Sequence, residues 1–218
     1  MKTPKDLGFV FPAEWHKHTS TWLSYPHNEN SWPGKIDTIF PYYNQFIAEL
    51  SKGELVNINV EDETMRDRVA EELMQLGVDM SKIKFHFFRT NDAWCRDHGP
   101  AFVIKANQKA IVNWDYNAWG GKYPCECDNL IPKKIADELG LEMFHPHIVM
   151  EGGSIDVNGK GTLLTTTSCL LNENRNPLLS QVEIEEKLCS YYNVDNVIWL
   201  GDGIEGDDTD GHVDDITR

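Results

Sequence analysis

The order of the predicted elements repeats along this chain, and the repeat constrains the fold more than any single motif. In each of two copies a polar residue precedes a β-hairpin, and a helix follows the hairpin. The predicted hairpins comprise residues 101–104 with 110–114 and 155–157 with 162–166, and the helices lie near 129–139 and 180–191. Their predicted turns are residues 106–109 and Asn158-Gly-Lys-Gly161, of which the second is the stronger signal.

The residues that open the copies are Asp97, Glu151 and His212, which are 54 and then 61 residues apart. If the copies are blades around a pseudosymmetry axis, equivalent strand ends converge at the centre. The repeat therefore predicts that two acids and a histidine share one site, although they are distant in the sequence.

The rest of the pattern also predicts an α/β chain. Strands are expected at residues 19–25, 54–60, 83–88 and 197–200, and helices at 37–51 and 62–76. The third copy has an opening strand after His212 but no turn and no partner strand, and an edge left unpaired in that way is uncommon in a complete fold. We therefore expect residues 1–218 to be a single domain that is incomplete at its C-terminus, the N-terminal portion of a longer protein.

Charge favours a small cationic partner over an anionic polymer. The chain has 20 Lys and Arg against 35 Asp and Glu, a formal charge of -15, which repels nucleic acid and anionic membrane surfaces. It shows neither a secretory signal nor an apolar run long enough to span a bilayer, so the cytoplasm is the expected compartment. Homo-oligomer formation stays open.

The segment Trp94-Cys-Arg-Asp-His-Gly-Pro100 is rich in chemically distinctive side chains. A structural explanation is a buried Asp97–Arg96 pair that supports the turn. A functional one is a carboxylate that binds a planar cation in bidentate fashion, with Trp94 as an aromatic wall. Cys95, in an extended chain, would turn away from that face, so we interpret it as a small buried hydrophobe.

Glu151 follows His147-Ile-Val-Met150, which we interpret as an apolar strand, so burial at the end of that strand could raise its pKa into the range for general acid or base chemistry. The alternative is an exposed acid before the Gly152-Gly153 turn.

His212 and Asp214 are two residues apart, so on a strand both side chains would face one ligand. His212 would then transfer protons and Asp214 would bind the cation. Here the alternative is a loop, residues 202–215, that is only solvated.

No metal site is predicted. The spacing of the acids in residues 202–215 does not fit a calcium loop. His145 and His147 share one face and could bind zinc, but the sequence reveals no third ligand. The five cysteines lack paired spacing, and Cys125, Cys127, Cys169 and Cys189 lie outside the converging strand ends. Trp32 is interpreted as a residue that faces the substrate.

Three segments in this order resemble the agmatine deiminase and bacterial-type peptidylarginine deiminase family. They are Trp94-Cys-Arg-Asp-His-Gly-Pro100, Met150-Glu-Gly-Gly-Ser154 and Gly211-His-Val-Asp214, and the resemblance extends to Phe11-Pro-Ala-Glu-Trp15. It implies the pentein fold, a five-bladed α/β propeller of pseudosymmetric ββαβ repeats. About three and a half blades are then expected in this chain.

The resemblance also implies roles for the site residues. Asp97 and Asp214 are the expected guanidinium-binding carboxylates, Glu151 and His212 the acid and base groups, and Trp94 a lining residue of the substrate channel. The nucleophilic cysteine is expected beyond Arg218, in a Gly-rich segment that these 218 residues do not include. No metal or organic cofactor is required.

The function implied first is hydrolysis of agmatine to N-carbamoylputrescine and ammonia, a step of putrescine biosynthesis, through a covalent amidino intermediate on cysteine. One alternative keeps the same chemistry on peptidylarginine or free arginine. Another, of a different class, is a non-catalytic module that binds guanidinium or polyamine cations.

Overall fold

The computed structural model describes residues 2–217, which contain three three-stranded sheets. The strands are β1 (Ser20–Ser24), β2 (Leu55–Asn59), β3 (Ile83–His86), β4 (Ala101–Lys105), β5 (Gln108–Val112), β6 (Glu142–Phe144), β7 (Ile155–Val157), β8 (Thr162–Thr166) and β9 (Asn196–Leu200). The helices are α1 (Pro4–Leu7), α2 (Ile36–Ser51), α3 (Glu63–Gln75), α4 (Cys95–His98), α5 (Ala118–Gly121), α6 (Ile131–Leu139), α7 (Thr167–Leu170) and α8 (Gln181–Tyr192).

The described residues form two compact units. The first unit comprises residues 2–16, 96–124 and 129–217, and the second comprises residues 17–95 and 125–128. Within residues 2–217, no helix combines the length and the apolar character that a membrane crossing requires.

The second unit is built on a parallel sheet in the order β1-β2-β3. The long helices α2 and α3 connect its strands, as parallel pairing requires. Asp62 caps α3, because its carboxylate accepts a hydrogen bond from the Met65 amide at 2.8 Å. Apolar side chains from the strands and both helices, among them Ile47, Val56 and Leu73, form the core of this unit.

The first unit contains two sheets that share one topology. In each, an antiparallel hairpin is joined by a parallel third strand, which gives the orders β4-β5-β6 and β7-β8-β9. The helices α6 and α8 connect the hairpins to their third strands. Side chains from both sheets and from α8 form one core, which includes Val112, Leu163 and Leu188. The equivalent order of elements in the two sheets confirms the repeat seen in the sequence.

Most predicted elements are found within two residues of their expected bounds, and the second hairpin is found as predicted. The first hairpin turn was predicted wrongly, because Lys105 pairs with Gln108 and only Ala106 and Asn107 form the turn. Ala106 has a φ of 49°, a left-handed conformation in which sequence signals place glycine or asparagine. The three-residue strand β6 was missed.

Two local predictions near the expected site are also wrong. Cys95 lies in the helical turn α4 and not in an extended segment, so the argument from strand alternation does not apply to it. Residues Val213–Asp215 form a 3-10 turn, not the opening strand of a third copy. The side chains of His212 and Asp214 are therefore presented by a helical turn and not by alternation along a strand.

Candidate active site

The structure brings the side chains of Asp97, Glu151, His212 and Asp214 together in the first unit. His212 Nδ1 lies 3.6 Å from Asp97 Oδ1 and 3.9 Å from Asp214 Oδ1. On the other side of the ring, His212 Nε2 lies 3.9 Å from Glu151 Oε2. The imidazole is therefore surrounded by three carboxylates that come from three separate segments of the chain.

Asp97 is held by two hydrogen bonds from other segments. The Gly153 amide donates to its Oδ1 at 2.9 Å, and the Trp119 indole N–H donates to its Oδ2 at 3.2 Å. Its side chain is only 10% exposed. Burial, together with the nearby charge of Glu151, raises the pKa of Asp97 to about 7. The folded chain thus holds this carboxylate at a site where its negative charge is poorly compensated.

The glycine pair after Glu151 permits the close approach of these segments. A Cβ atom on Gly152 would lie 2.0 Å from the Arg96 carbonyl oxygen, and one on Gly153 would lie 2.4 Å from His212 Nδ1. Any side chain at either position would push the Asp97 segment or the His212 ring away. This close contact explains why two glycines follow the glutamate.

A buried ion pair fixes Glu151. Arg175 Nε donates to Glu151 Oε1 at 2.6 Å, and both side chains are fully buried. Burial raises the pKa of Glu151, and the Arg175 charge opposes that rise. Arg175 also bonds Asp210 Oδ2 at 2.7 Å and the Thr209 carbonyl at 2.8 Å, so its donors are shared between the glutamate and the acidic loop.

The acidic loop is an ordered part of the site, not merely a solvated one. Although burial raises the pKa of Asp210, hydrogen bonds from Asn174, Arg175 and Lys122 outweigh burial and lower it to about 2. The Asp207 carboxylate accepts from the Gly211 amide at 2.8 Å. These contacts hold the backbone on which the next residue, His212, is placed.

His212 is neutral near pH 7. Burial, reinforced by the positive charge of Arg175, lowers its pKa to about 4. Its carboxylate contacts at 3.6–3.9 Å are therefore not salt bridges under those conditions. Among residues 2–217, its buried Nε2 has no hydrogen-bond partner. The unprotonated imidazole has a nitrogen lone pair available to accept a proton, and a pKa of about 4 makes it a weak base in this site.

Asp214 is the most exposed acid of the cluster, with a side chain that is 16% exposed. Arg96 Nε lies 3.6 Å from its Oδ2, and the same guanidinium also pairs with Glu14. The Asp97–Arg96 pair considered as the structural explanation of the motif does not form, because Arg96 contacts these two acids instead.

Cys169 corrects a prediction, because its thiol lies in the cluster. Its Sγ lies 3.9 Å from Glu151 Oε2, and the residue is fully buried. Burial and the charge of Glu151 raise the pKa of the Cys169 thiol well above its usual value. The expectation that Cys169 lies away from the site is wrong, but a thiol with a raised pKa is a poor nucleophile. Cys95 belongs to the second unit, where its thiol donates to the Trp22 carbonyl at 3.4 Å.

Sequence reasoning missed two residues of the site, Arg175 and Trp119. Arg175 stands in an unremarkable Asn174-Arg-Asn176 segment, and only the need of buried acids for a cation could have singled it out. Trp119 lies in a turn in which Ala118, Trp119, Gly120 and Gly121 all have positive φ values of 52–95°. The Trp119-Gly-Gly121 segment was the available signal for that unusual backbone.

The two tryptophans proposed to contact substrate lie together in the second unit. The ring centroids of Trp32 and Trp94 are 5.6 Å apart with an interplanar angle of 30°, and Trp94 is exposed. An exposed aromatic face of this kind can pack against an alkyl chain or a cation.

The donor atoms of Glu151, Cys169 and His212 lie within 4.8 Å of one another and could in principle hold a metal ion. Arg175 already places a positive charge on Glu151, which disfavours a second cation at this position. With that pair neutralised, the acids that remain beside the neutral histidine are Asp97, whose pKa is about 7, and Asp214, which Arg96 Nε approaches at 3.6 Å. The arrangement is suited to a planar cation that bridges two acids.

Comparisons with known proteins find relatives in both sequence and fold. The family model of the Porphyromonas-type peptidyl-arginine deiminase matches residues 10–218. The agmatine deiminase of Pseudomonas aeruginosa (strain UCBPP-PA14) is 40% identical over 97% of this chain, and that of Ectopseudomonas mendocina (strain ymp) is 38% identical over 97%. The solved agmatine deiminase of Enterococcus faecalis matches 99% of the chain with 36% identity and a TM-score of 0.90. The chain spans 58% of the length of each curated relative and 59% of the solved one.

We expect Asp97→Asn to alter how stability depends on pH. Because the pKa of Asp97 is about 7 when folded and 3.8 ordinarily, the folded state keeps a proton that the unfolded state releases. Stability therefore falls as pH rises between those values, and asparagine removes that fall. The free energy of unfolding of the variant relative to wild type should grow by up to about 4 kcal/mol between pH ~4 and pH ~8.

Urea unfolding at both pH values measures this difference. Asp202→Asn, at an exposed acid of the loop, is the control and should show the same difference from wild type at each pH. A pH-independent difference for Asp97→Asn would show that the carboxyl does not hold a proton in the folded state.

We expect Gly153→Ala to destabilise the first unit, because the added Cβ would meet His212 Nδ1 at 2.4 Å and Asp97 Oδ1 at 2.7 Å. Overpacking of this kind costs about 1–3 kcal/mol. Gly201→Ala is the matched control, since no atom of the described chain, apart from residue 201 and its two chain neighbours, lies within 4 Å of the added Cβ. Equal free energies of unfolding for the two variants would contradict the close approach.

Proposed function

The chain belongs to the Porphyromonas-type peptidyl-arginine deiminase family, and from this premise we propose that it forms the cation-binding and proton-transfer part of an agmatine deiminase. The reaction is hydrolysis of the agmatine guanidinium to N-carbamoylputrescine and ammonia, which supplies putrescine biosynthesis. The relatives named agmatine deiminase support this choice of substrate.

The observation that carries the proposal is the charge balance of the buried cluster. Arg175 is positioned to neutralise Glu151 and Asp210, and Arg96 approaches Asp214, whereas burial and the charge of Glu151 raise the pKa of Asp97 to about 7. A guanidinium group has a pKa above about 12 and remains a planar cation at neutral pH. Such a group between Asp97 and Asp214 would restore ionisation of Asp97 and orient the guanidinium carbon for attack.

The neutral state of His212 defines its part in the mechanism. His212 accepts the proton of an attacking thiol as the sulfur–carbon bond forms, and it delivers that proton to the departing ammonia. Water then attacks the amidino carbon, with His212 as the base, and the sulfur leaves as the thiol after regaining a proton. Glu151, 3.9 Å from the imidazole, takes the remaining proton as the ureido carbonyl forms.

The attacking thiol is proposed to come from sequence beyond residues 1–218. The two cysteines near the motifs are poorly suited to the part. Cys169 is buried and its pKa is raised well above normal, and the Cys95 thiol donates to a backbone carbonyl. The greater length of the relatives is consistent with a nucleophile outside this part of the chain.

We also propose the finer features that the resemblance implies. The equivalent sheets β4-β5-β6 and β7-β8-β9 support the interpretation as blades of a five-bladed pentein propeller, of which about three and a half are expected here. Trp94 and Trp32, whose rings contact each other in a tilted arrangement that leaves Trp94 exposed, are proposed to line the channel of a small cationic guanidine.

A second substrate class is favoured by the description of the matching family, which is peptidyl-arginine deiminase. The chemistry at the guanidinium is the same for a peptide, but the channel must then accept a polypeptide backbone. The discriminating experiment is therefore a comparison of substrates and not of reaction types.

We expect protein of the full length of its relatives to release ammonia from agmatine with a higher kcat/KM than from free arginine or an arginine-containing peptide. Asp97→Asn should lower kcat/KM for agmatine at least ~30-fold, because losing one partner of a buried charge pair costs about 2–5 kcal/mol. Asp202→Asn, at an exposed acid of the loop, should leave it unchanged.

Activity on the peptide alone would replace agmatine by peptidylarginine as the substrate. Binding of agmatine without release of ammonia would instead support a non-catalytic module. Wild-type activity of Asp97→Asn would exclude the cation-binding role.

A further inference from the structure

A second cluster of polar side chains lies in the first unit and has no part in the proposed reaction. It consists of Asp115, His145 and His147, each of which offers one donor atom, and these atoms lie within 4.8 Å of one another. His145 Nε2 lies 2.6 Å from Asp115 Oδ1, and the two imidazole centroids are 3.9 Å apart. The sequence revealed two histidines on one face, and the fold supplies the third donor.

The backbone fixes the carboxylate relative to the histidines. Asp115 forms an isolated parallel bridge with Val149, in which its amide donates to the Ile148 carbonyl and its carbonyl accepts from the Met150 amide, both at 3.0 Å. The segment with both histidines therefore runs beside Asp115 with a set register.

The histidine segment is held in place from two other directions. The Asn176 side chain bonds both the amide and the carbonyl of Val149, at 2.9 and 2.8 Å. Lys187 of α8 donates to the Pro146 carbonyl at 3.1 Å. His147 itself has a φ of 59°, a conformation that costs a residue with a Cβ free energy and that this packing maintains. The donors are thus preorganised, with His147 exposed and the other two half-buried.

The donor set defines the class of ligand. Two imidazole nitrogens and one carboxylate oxygen suit Zn²⁺ and similar divalent transition metals, whereas Ca²⁺ and Mg²⁺ prefer oxygen donors throughout. Tetrahedral zinc with bonds of about 2.0–2.1 Å places neighbouring donors roughly 3.3–3.5 Å apart. The required separation lies between the 2.6 Å distance from His145 Nε2 to Asp115 Oδ1 and the 4.8 Å within which all three donor atoms lie. Small side-chain movements therefore suffice to form the zinc coordination.

We propose that Asp115, His145 and His147 bind one divalent transition metal ion, of which Zn²⁺ is the representative, with water at the remaining position. The bound ion joins the segment after β5, which leads to Trp119, to the segment that leads to Glu151. The ion therefore stabilises two segments whose ends contribute to the acid cluster, and it takes no part in the chemistry.

The competing explanation for any zinc binding is the buried group of Glu151, Cys169 and His212. That group includes a thiol, whereas the proposed site has only nitrogen and oxygen donors. A Co²⁺ complex of the proposed site therefore lacks the sulfur-to-metal charge-transfer band that a Cys169 ligand would produce.

The test titrates the metal-free 218-residue chain with Zn²⁺ against a competing chelator and records the Co²⁺ spectrum. We expect one ion per chain and no charge-transfer band. His147→Asn keeps a residue that tolerates positive φ while it removes the imidazole, and His145→Gln removes the second imidazole. Each should weaken binding at least ~100-fold, since loss of an outer partner alone costs about 10–100-fold.

His16→Asn, at an exposed histidine of the same unit, is the matched control and should bind as wild type does. Far-UV circular dichroism confirms that each variant is folded. Unchanged affinity in both His145→Gln and His147→Asn would overturn the proposal, and so would a thiolate band with Co²⁺ or the absence of stoichiometric binding by wild type.

Discussion

The site depends on the burial of negative charge that Arg96 and Arg175, within residues 2–217, compensate only in part. Arg175 bonds both Glu151 and Asp210, and removing one partner of such a buried pair costs about 3–5 kcal/mol. Asp97 shares the same buried space, where it accepts hydrogen bonds from an amide and an indole, and its pKa is raised to about 7. Burial and the charge of Arg175 lower the pKa of His212 to about 4, so the imidazole stays neutral near pH 7. A cation that enters the site would neutralise the remaining negative charge.

Close backbone packing brings the charged groups together. The Asp97 turn, the Gly152-Gly153 pair and the His212 loop approach so closely that side chains on the two glycines would collide with their neighbours. The left-handed turn at Trp119 directs its indole onto Asp97, so a strained backbone segment contributes to the same geometry. Strain and packing of this kind are typical of functional sites.

Sequence patterns predicted the hairpins and the main helices, because hydrophobic periodicity and turn chemistry are local properties. The repeat and the family motifs predicted the residues that meet at the site. The local patterns failed where tertiary contacts decide the local conformation. Cys95 and Asp214 lie in short helical turns that the strand interpretation did not predict. Arg175, Cys169 and the third donor Asp115 could not be found from spacing, since only the folded chain places them beside their partners.

The central claim is that the acid cluster requires an external planar cation, and titration of the Asp97 carboxyl by NMR tests it most directly. The carboxyl carbon signal, assigned by its loss in Asp97→Asn, would be followed with pH in the absence and presence of a saturating alkylguanidinium. We predict a pKa of about 7 without the cation and a clearly lower one with it. An ordinary carboxyl pKa without the cation, or a raised pKa that the cation does not lower, would contradict the account.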